Sequence, residues 1–354
     1  MEKKLCWHSL FGDIEVEEPQ YREGSRRRRP LSESAAVHHR GCSRPLQRAL
    51  VDFAADVPFA QAREKLHEHY GVNLSASTIR TLTEAHAQGC ATFRQGEPAW
   101  PSEDGTQAVI AELDGGMVPI VETDPQQRDR RQGKRLLWKE AKLCLAHAHG
   151  SATPVYGGTL LGGVEAAGRQ LRTCAIAAGL GNHTQVHAVG DGAPWIADQV
   201  AEQFGTQGRY LLDFFHVCDY LAAAAKVCAP EDPKAWLERQ KARLKSNRSA
   251  AVLGDLLGAI EPPKVPDAEA PVRVCHRYLS NRRNQLDYAG ARAAGLPIGS
   301  GEIESAHRYV VQQRLKRPGA WWTPDNAEAM LALRLVRANG QWADYWRSQD
   351  KQAA

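Results

Sequence analysis

The sequence predicts an α/β protein: a mixed sheet with an all-helical insertion, preceded by a helical helix-turn-helix domain. Three observations predict it. Short apolar runs ending on an aspartate alternate with helical periodicity between residues 107 and 218. From 219 to 290 no strand pattern occurs. Ahead of both, helical spacing over 45–89 is interrupted by a glycine turn. The 354 residues suffice for about two or three folded units.

Residues 1–44 read as one short strand over Leu10 to Val16, with Ile14 and Val16 alternating, followed by an arginine-rich linker. This segment is too polar to carry a core alone, as a truncated domain would be. Leu46, Leu50, Phe53 and Ala54 recur at helical spacing. A second helix starts at Pro58-Phe59, carries Ala62, Leu66 and His69 on one side, and ends at Gly71, where a glycine cap belongs. Ser75 is the N-cap of a third helix with Ile79, Leu82 and Thr83 facing inward. In a helix-turn-helix the first residues of the second helix meet base edges, here Ser77, Thr78, Arg80 and Thr81. A plain helical hairpin has the same pattern.

Residues 90–106 form a linker rich in Gly, Pro and acids. The core's first part, 107–218, then reads strand (108–113), strand (118–121), strand (138–147), a glycine-rich stretch (157–163), helix (164–178), strand (186–189), helix (195–204) and strand (210–212). Residues 219–290 are the helical insertion, broken by Pro262-Pro263. Residues 291–346 complete the core, with amphipathic helix over 303–338 and an aromatic end at Trp342, Tyr345 and Trp346. Residues 347–354 are a tail.

Composition narrows the class. With 43% hydrophobic and 24% charged residues the chain is not wholly disordered. No apolar run is long enough to cross a bilayer, and Met1 to His8 lacks a signal-peptide core. A cytoplasmic protein, with its partner on the nucleoid, is expected. The eight cysteines form no CxxC pair, so neither a disulfide framework nor a recognisable zinc site is expected.

The net charge of +4 is unevenly spread. Residues 22–29 hold five arginines against one acid, 128–142 seven basic residues against two acids, and 234–248 six against one. One such run is ordinarily a solvated face, but three separated runs point to a polyanion.

Two aspartates occupy similar places. Asp114 follows an apolar run and precedes Gly115-Gly116, and Asp191 stands between Gly190 and Gly192. Each can be a turn residue. Each can also stand at a strand end, where glycines allow a metal or phosphate to approach. Gly299-Ser300-Gly301 leads into a helix bearing Glu304, with Arg308 and Val311 at helical spacing and Glu302 as the rival acid. Three carboxylates suit two hard divalent cations, which together promote in-line displacement at phosphorus.

The segments LDGGMVPI (113–120), GDGAPWI (190–196), LLDFFH (211–216) and GSGEIESAHRYVVQQRLKRPGAWW (299–322) together resemble DDE transposases of bacterial insertion sequences. The likeness is to the Kra-type family, with Mutator-like enzymes as wider relatives. It covers about residues 107–346, and more loosely the segments upstream. The resemblance implies a ribonuclease-H-like sheet interrupted before its last acidic helix by the helical insertion. It assigns Asp114, Asp191 and Glu304 as catalytic metal ligands for Mg²⁺ or Mn²⁺, two ions per site. Asp213-Phe214-Phe215-His216 fits a further motif of Mutator-like relatives, in which His216 acts at the scissile phosphate; it can equally structure the helix start. Arg308, Arg314, Lys316 and Arg317 are the phosphate contacts. Trp321 and Trp322 either pack the helix, the favoured reading, or stack on a flipped base. The cysteine pair that relatives carry before a Pro-Leu step is missing from residues 21–31.

The expected function is metal-dependent cleavage and strand transfer at transposon ends. The partners would be double-stranded DNA, as terminal inverted repeats and target, and a second copy of the chain or more. The alternatives are a catalytically silent DNA-binding derivative, a nuclease of the same fold, and a carboxylate-pair glycosidase.

Overall fold

The computed structural model describes residues 2–35, 37–124, 126 and 133–353. Within the basic run at 128–142, residues 128–132 lie outside the described residues. The chain divides into two compact units, one of residues 1–95, 119–137 and 312–354, the other of residues 96–118 and 138–311.

The first unit opens with a hairpin of β1 (Glu2–Ser9) and β2 (Gly12–Pro19), antiparallel with Trp7 opposite Ile14. The single strand expected over 10–16 is corrected: Leu10 and Phe11 are the turn. Gly12 takes a positive φ of 108°, and the Ser9 hydroxyl donates to the Gly12 carbonyl at 2.8 Å, closing that turn. A shorter pair follows, β3 (Tyr21–Glu23) and β4 (Arg26–Arg28), then α1 (Pro30–Ser34). Three helices come next: α2 (Arg44–Asp56), α3 (Phe59–Tyr70) and α4 (Ala76–Phe93). Gly71 caps α3 in the left-handed region and Ser75 accepts the Thr78 N–H at 3.0 Å, so both punctuation signals act as the sequence reads them.

The second unit is built on a five-stranded sheet. Its strands are β5 (Ala108–Thr123), β6 (Lys134–Ala148), β7 (Val155–Thr159), β8 (Gln185–Gly190) and β9 (Gly208–Leu212), in the order β7-β6-β5-β8-β9. β5, β8 and β9 run parallel, while β6 and β7 are antiparallel, so the sheet is mixed. The outer ends of β5 and β6 belong to the first unit. Helix α5 (Val164–Ala177) joins β7 to β8, and α6 (Pro194–Phe204) joins β8 to β9. The two strands expected over 108–121 are one, because the Asp114-Gly115-Gly116 step stays extended instead of turning. The glycine-rich stretch at 157–163 conceals β7.

Period-two alternation sorts the sheet's faces. Val109, Ala111 and Leu113 of β5, with Val186 and Ala188 of β8, pack on Leu171 of α5 and Val200 of α6. The opposite face carries Val189 and Leu211, which join the core of the helical insertion. That insertion comprises α7 (Phe214–Cys228), α8 (Pro233–Lys245), α9 (Ser249–Leu257), α10 (Pro271–Ser280) and α11 (Tyr288–Ala293). It is helical as expected, but begins at Phe214, ahead of 219.

The helix expected over 303–338 is interrupted. It starts as α12 (Gly301–Ala306), widens into a π-helical turn at His307–Gln312, and closes with α13 (Gln313–Leu315). After a break come α14 (Pro324–Ala338) and α15 (Trp342–Ala353). In the first unit α14 packs on α4, and the aromatic end is core: Tyr345 is fully buried. Among the described residues no helix is long and apolar enough to cross a membrane. All eight cysteines are free, five of them buried.

Candidate active site

Sheet register sets three aspartates at one level. β5 pairs with β8 up to Glu112 opposite Val189, and β8 pairs with β9 up to Gly190 opposite Leu212. Carried on by one or two residues, these registers set Asp114 beside Asp191 and Asp191 beside Asp213. By alternation all three, with Glu112, belong to the face opposite α5 and α6. The carboxyl ends of parallel strands are where open α/β sheets place their sites.

The three aspartates do different work. Asp213 is buried and fully committed. Its Oδ1 accepts the N–H groups of Phe215 and His216, capping α7, and its Oδ2 accepts the Ser300 N–H and hydroxyl, both at 2.6 Å. Two further groups of the same face hold that loop. His187 Nε2 donates to the Pro297 carbonyl at 2.8 Å, and Glu112 accepts the Ile303 N–H at 2.7 Å. Gly299 leaves the space that Phe215 fills, since a Cβ there would stand 2.6 Å from the ring. The loop that delivers Glu304 is thus fastened to the sheet by buried polar groups.

Asp114, Asp191 and Glu304 are held less completely. Asp114 has a side chain 32% exposed and Glu304 one 65% exposed. Burial raises the Asp114 carboxyl above its ordinary range; His307 and the Gly115 N–H oppose this, and the charges of Asp191 and Glu304 raise it further. The three acids therefore share one electrostatic neighbourhood. Their oxygens do not all come within 4.8 Å of one another; among the described residues the group of acids, histidines and cysteines that does is Cys6, His8 and Asp13 on the first hairpin. Burial, with help from Glu302, Asp213 and Glu304, pushes Glu112 up to about 8 against the pull of the Ile303 N–H.

Two histidines face the trio. His307 Nε2 lies 3.2 Å from the Asp114 carbonyl and 3.5 Å from its Oδ2, and its Nδ1 is buried without a partner. His216 Nε2 lies 3.8 Å from Glu304 Oε1. The rival acid Glu302 lies 3.2 Å from His147 Nε2, without hydrogen-bond geometry.

The glycines beside the acids have another use than admitting a ligand. A Cβ on Gly115 would strike Glu140, and one on Gly116 would strike the His307 ring at 2.7 Å. Gly192, with φ of 88°, makes room for Arg282 and Tyr278. Arg282 Nε and Nη2 donate to the Gly192 carbonyl, the Tyr278 hydroxyl donates to the Asp191 carbonyl at 2.5 Å, and the Gly192 N–H donates to Tyr210 at 3.0 Å. Two of these three residues come from the insertion, which thereby fixes the Asp191 loop.

The residues expected to meet DNA divide. Ser77, Arg80 and Thr81 are exposed at the start of α4, while Thr78 is spent on the cap, its hydroxyl 2.9 Å from that of Ser75. Arg308 and Lys316 are exposed, but the π-helical turn breaks the spacing that grouped Arg308 and Val311 with Glu304, and Val311 is buried. Arg317 is half-buried, its Nε donating to the Gln313 carbonyl at 2.6 Å. Arg314 is a correction. It is 2% exposed, donates to the Ala54 carbonyl at 2.9 Å, and lies between the rings of Phe59 and Trp322 at 4.8 and 4.7 Å. Its guanidinium is part of a core and is not presented to a DNA backbone. Trp322 is buried beside it; Trp321 is 55% exposed.

Sequence reasoning passed over Glu112, His187, His307 and Arg282. An acid two residues before Asp114 inside an apolar run was a signal for Glu112. Nothing local marks Arg282 or His187, whose partners lie about 90 and 110 residues away.

Residues 180–352 match the model of an uncharacterised protein family, UPF0236. The matched span includes Asp191 and Glu304. The chain is also similar to the "UPF0236 protein in vanSb 3'region" of Streptococcus gallolyticus, with 24% identity over 353 residues, covering 96% of this chain and 74% of the relative.

Proposed function

We propose that this protein is a DDE transposase that cleaves DNA at transposon ends and joins the freed 3′-hydroxyl to target DNA. One observation carries the reading: sheet register sets Asp114 beside Asp191 where the parallel pairing of β5 with β8 ends, and buried polar contacts from Asp213 and Glu112 fasten to that sheet the loop and helix that bear Glu304. The sheet order and the helical insertion ahead of α12 support a ribonuclease-H-like core. The exposed Ser77, Arg80 and Thr81 support a helix-turn-helix built on α3, Gly71 and α4.

The donor set fits a hard divalent cation. All three side chains offer carboxylate oxygens, and their mutual repulsion is what a cation would relieve. Asp114, Asp191 and Glu304 would hold Mg²⁺ or Mn²⁺, which when bound supplies charge neutralisation for an in-line displacement at phosphorus. His307 braces the Asp114 main chain, and His216, 3.8 Å from Glu304, is placed to move a proton at Nε2. Asp213, Glu112 and His187 keep the Glu304 loop on the sheet. Double-stranded DNA is the partner, and joining two ends calls for a dimer or larger assembly.

The test is a strand-transfer assay on DNA carrying the sequences that flank the gene, with Mg²⁺ or Mn²⁺. Wild-type protein should nick and join. Asp114→Asn, Asp191→Asn and Glu304→Gln should each lower the rate roughly 10³-fold or more while still binding the ends. Wild-type activity in these variants would overturn the site. End binding by a wild-type chain that never cuts would favour the silent DNA-binding alternative.

A further inference from the structure

The hairpin of β1 and β2 carries a cluster of a different kind from the acid trio. Cys6 and His8, two residues apart, share one face of β1, and the register sets Asp13 directly opposite His8. One thiol sulfur, one ring nitrogen and one carboxylate oxygen lie within 4.8 Å of one another. His8 Nδ1 donates to Asp13 Oδ1 at 2.6 Å, so ring and carboxylate are already held together. The backbone beneath them is tied down. The His8 N–H donates to the Gly41 carbonyl at 2.9 Å, the Ser43 N–H donates to the His8 carbonyl at 2.8 Å, and the Cys6 N–H donates to His39 Nδ1 at 3.1 Å. The flanking groups are engaged elsewhere. Glu15, opposite Cys6, pairs with Lys4 at 2.6 Å. Cys42, bridged to His8 on its other flank, is buried, and burial with the Asp13 charge pushes its thiol up to about 11.

From this geometry we infer that Cys6, His8 and Asp13 bind a zinc ion, with the fourth tetrahedral position left to water. Sulfur, nitrogen and oxygen donors together suit a borderline-soft ion, whereas Mg²⁺ would take the carboxylate alone. The ion takes the place of the thiol proton and of the proton between His8 and Asp13. The hairpin has a use for it. Leu5 is the one buried apolar side chain among the described residues of β1 and β2, and a two-stranded hairpin with so little core is marginal in water. His8 and Asp13 stand on opposite strands beside the turn at Leu10-Phe11. An ion held there staples the strands where apolar burial does not. This inference does not depend on the transposase reading.

The experiment uses the full chain, reduced and freed of metal, with Co²⁺ as the probe because its absorption bands report its ligands. Co²⁺ should give a thiolate-to-cobalt charge-transfer band, and Zn²⁺, which binds such donors more tightly, should bleach it. The acid trio of the candidate active site has no sulfur and cannot give that band. Cys6→Ser should abolish it, His8→Gln and Asp13→Asn should each weaken binding about tenfold or more, and Cys42→Ser should leave it in place. Cys6 and His8 are half-buried and Asp13 is exposed, so the metal-free variants should melt as metal-free wild type does. Phe11 is fully exposed in the turn, and chymotryptic cleavage there reads the opening of the hairpin. Zn²⁺ at tenfold over its dissociation constant should slow that cleavage about tenfold in wild type and not in Cys6→Ser. Absence of the band, or a band that survives in Cys6→Ser or is lost in Cys42→Ser, would overturn the site. A band without protection at Phe11 would overturn the staple.

Discussion

The two units treat buried polar groups in opposite ways. In the helical unit, His86 sits between Gln47 and Tyr345, at 2.8 Å from each. Arg334 pairs with Asp56, and Arg337 reaches Asp52 and Asp56, both at 3.0 Å. Arg314 Nη2, Trp322 Nε1 and Trp346 Nε1 are the exceptions among the described residues of this unit. In the sheet unit, one face gathers Glu112, Asp114, Asp191 and Glu304 with histidines as the near counterweights. A closed network serves stability; like charges left together mark a place where a ligand completes the set. The same face holds both kinds of acid, since Asp213 is saturated and Asp191, level with it, is not.

That difference can be broken directly. Asp213→Ala should cost about 3 kcal/mol of stability, because it strips a cap from α7 and leaves the Ser300 N–H and hydroxyl unpaired in a buried place. Asp191→Asn should cost less than about 1 kcal/mol, as it keeps an acceptor for the Ala193 N–H and removes a like charge. Urea unfolding of the two variants measures the contrast. Equal losses would mean that the two aspartates are structural alike.

The contrast also explains what the sequence made legible. Strand and helix periodicity, the Gly71 and Ser75 caps and the three acids were readable because each is local or flanked by strong local signals. The turn at Leu10-Phe11 was not, because both residues are apolar and the sole cue is Gly12. The run through Asp114-Gly115-Gly116 was misread for the opposite reason: Asp-Gly ordinarily signals a turn, but Glu140 and His307 pack where Cβ atoms would be, which explains glycines in mid-strand. Arg314 looked like a phosphate contact because it stands in a basic stretch; only packing reveals Phe59 and Trp322 around it.

The closed network should be the more pH-sensitive of the two at mild acidity. Burial holds His86 down at about 4, with the Arg44 charge adding to the effect. The folded value lies below the unfolded value of about 6.5, so between them the unfolded chain binds more protons. Stability is therefore fully present above about pH 6.5 and is lost as pH falls toward 4. The loss from pH 7 to pH 4.5 should be about 2 kcal/mol, and His86→Gln should flatten it. Denaturant midpoints at the two pH values measure this; a slope unchanged by the variant would show that the network does not depend on neutral His86.

The open set should respond to a cation where the closed one does not. Any ligand that binds the folded form alone stabilises it by mass action, about 1.4 kcal/mol at tenfold over its dissociation constant. Mg²⁺ titrated into metal-free wild type should raise the melting temperature and saturate. Asp191→Asn should lose the response, because it removes a charged oxygen donor. Glu304→Gln should lose it too and, without metal, should melt slightly above wild type, by the order of 0.5 kcal/mol, since one of the charges pressing on Asp114 is gone. That small gain separates crowding from ordinary solvation: three acids that share a field lose repulsion when one is neutralised, whereas three independent surface acids would leave the metal-free melting temperature where it was.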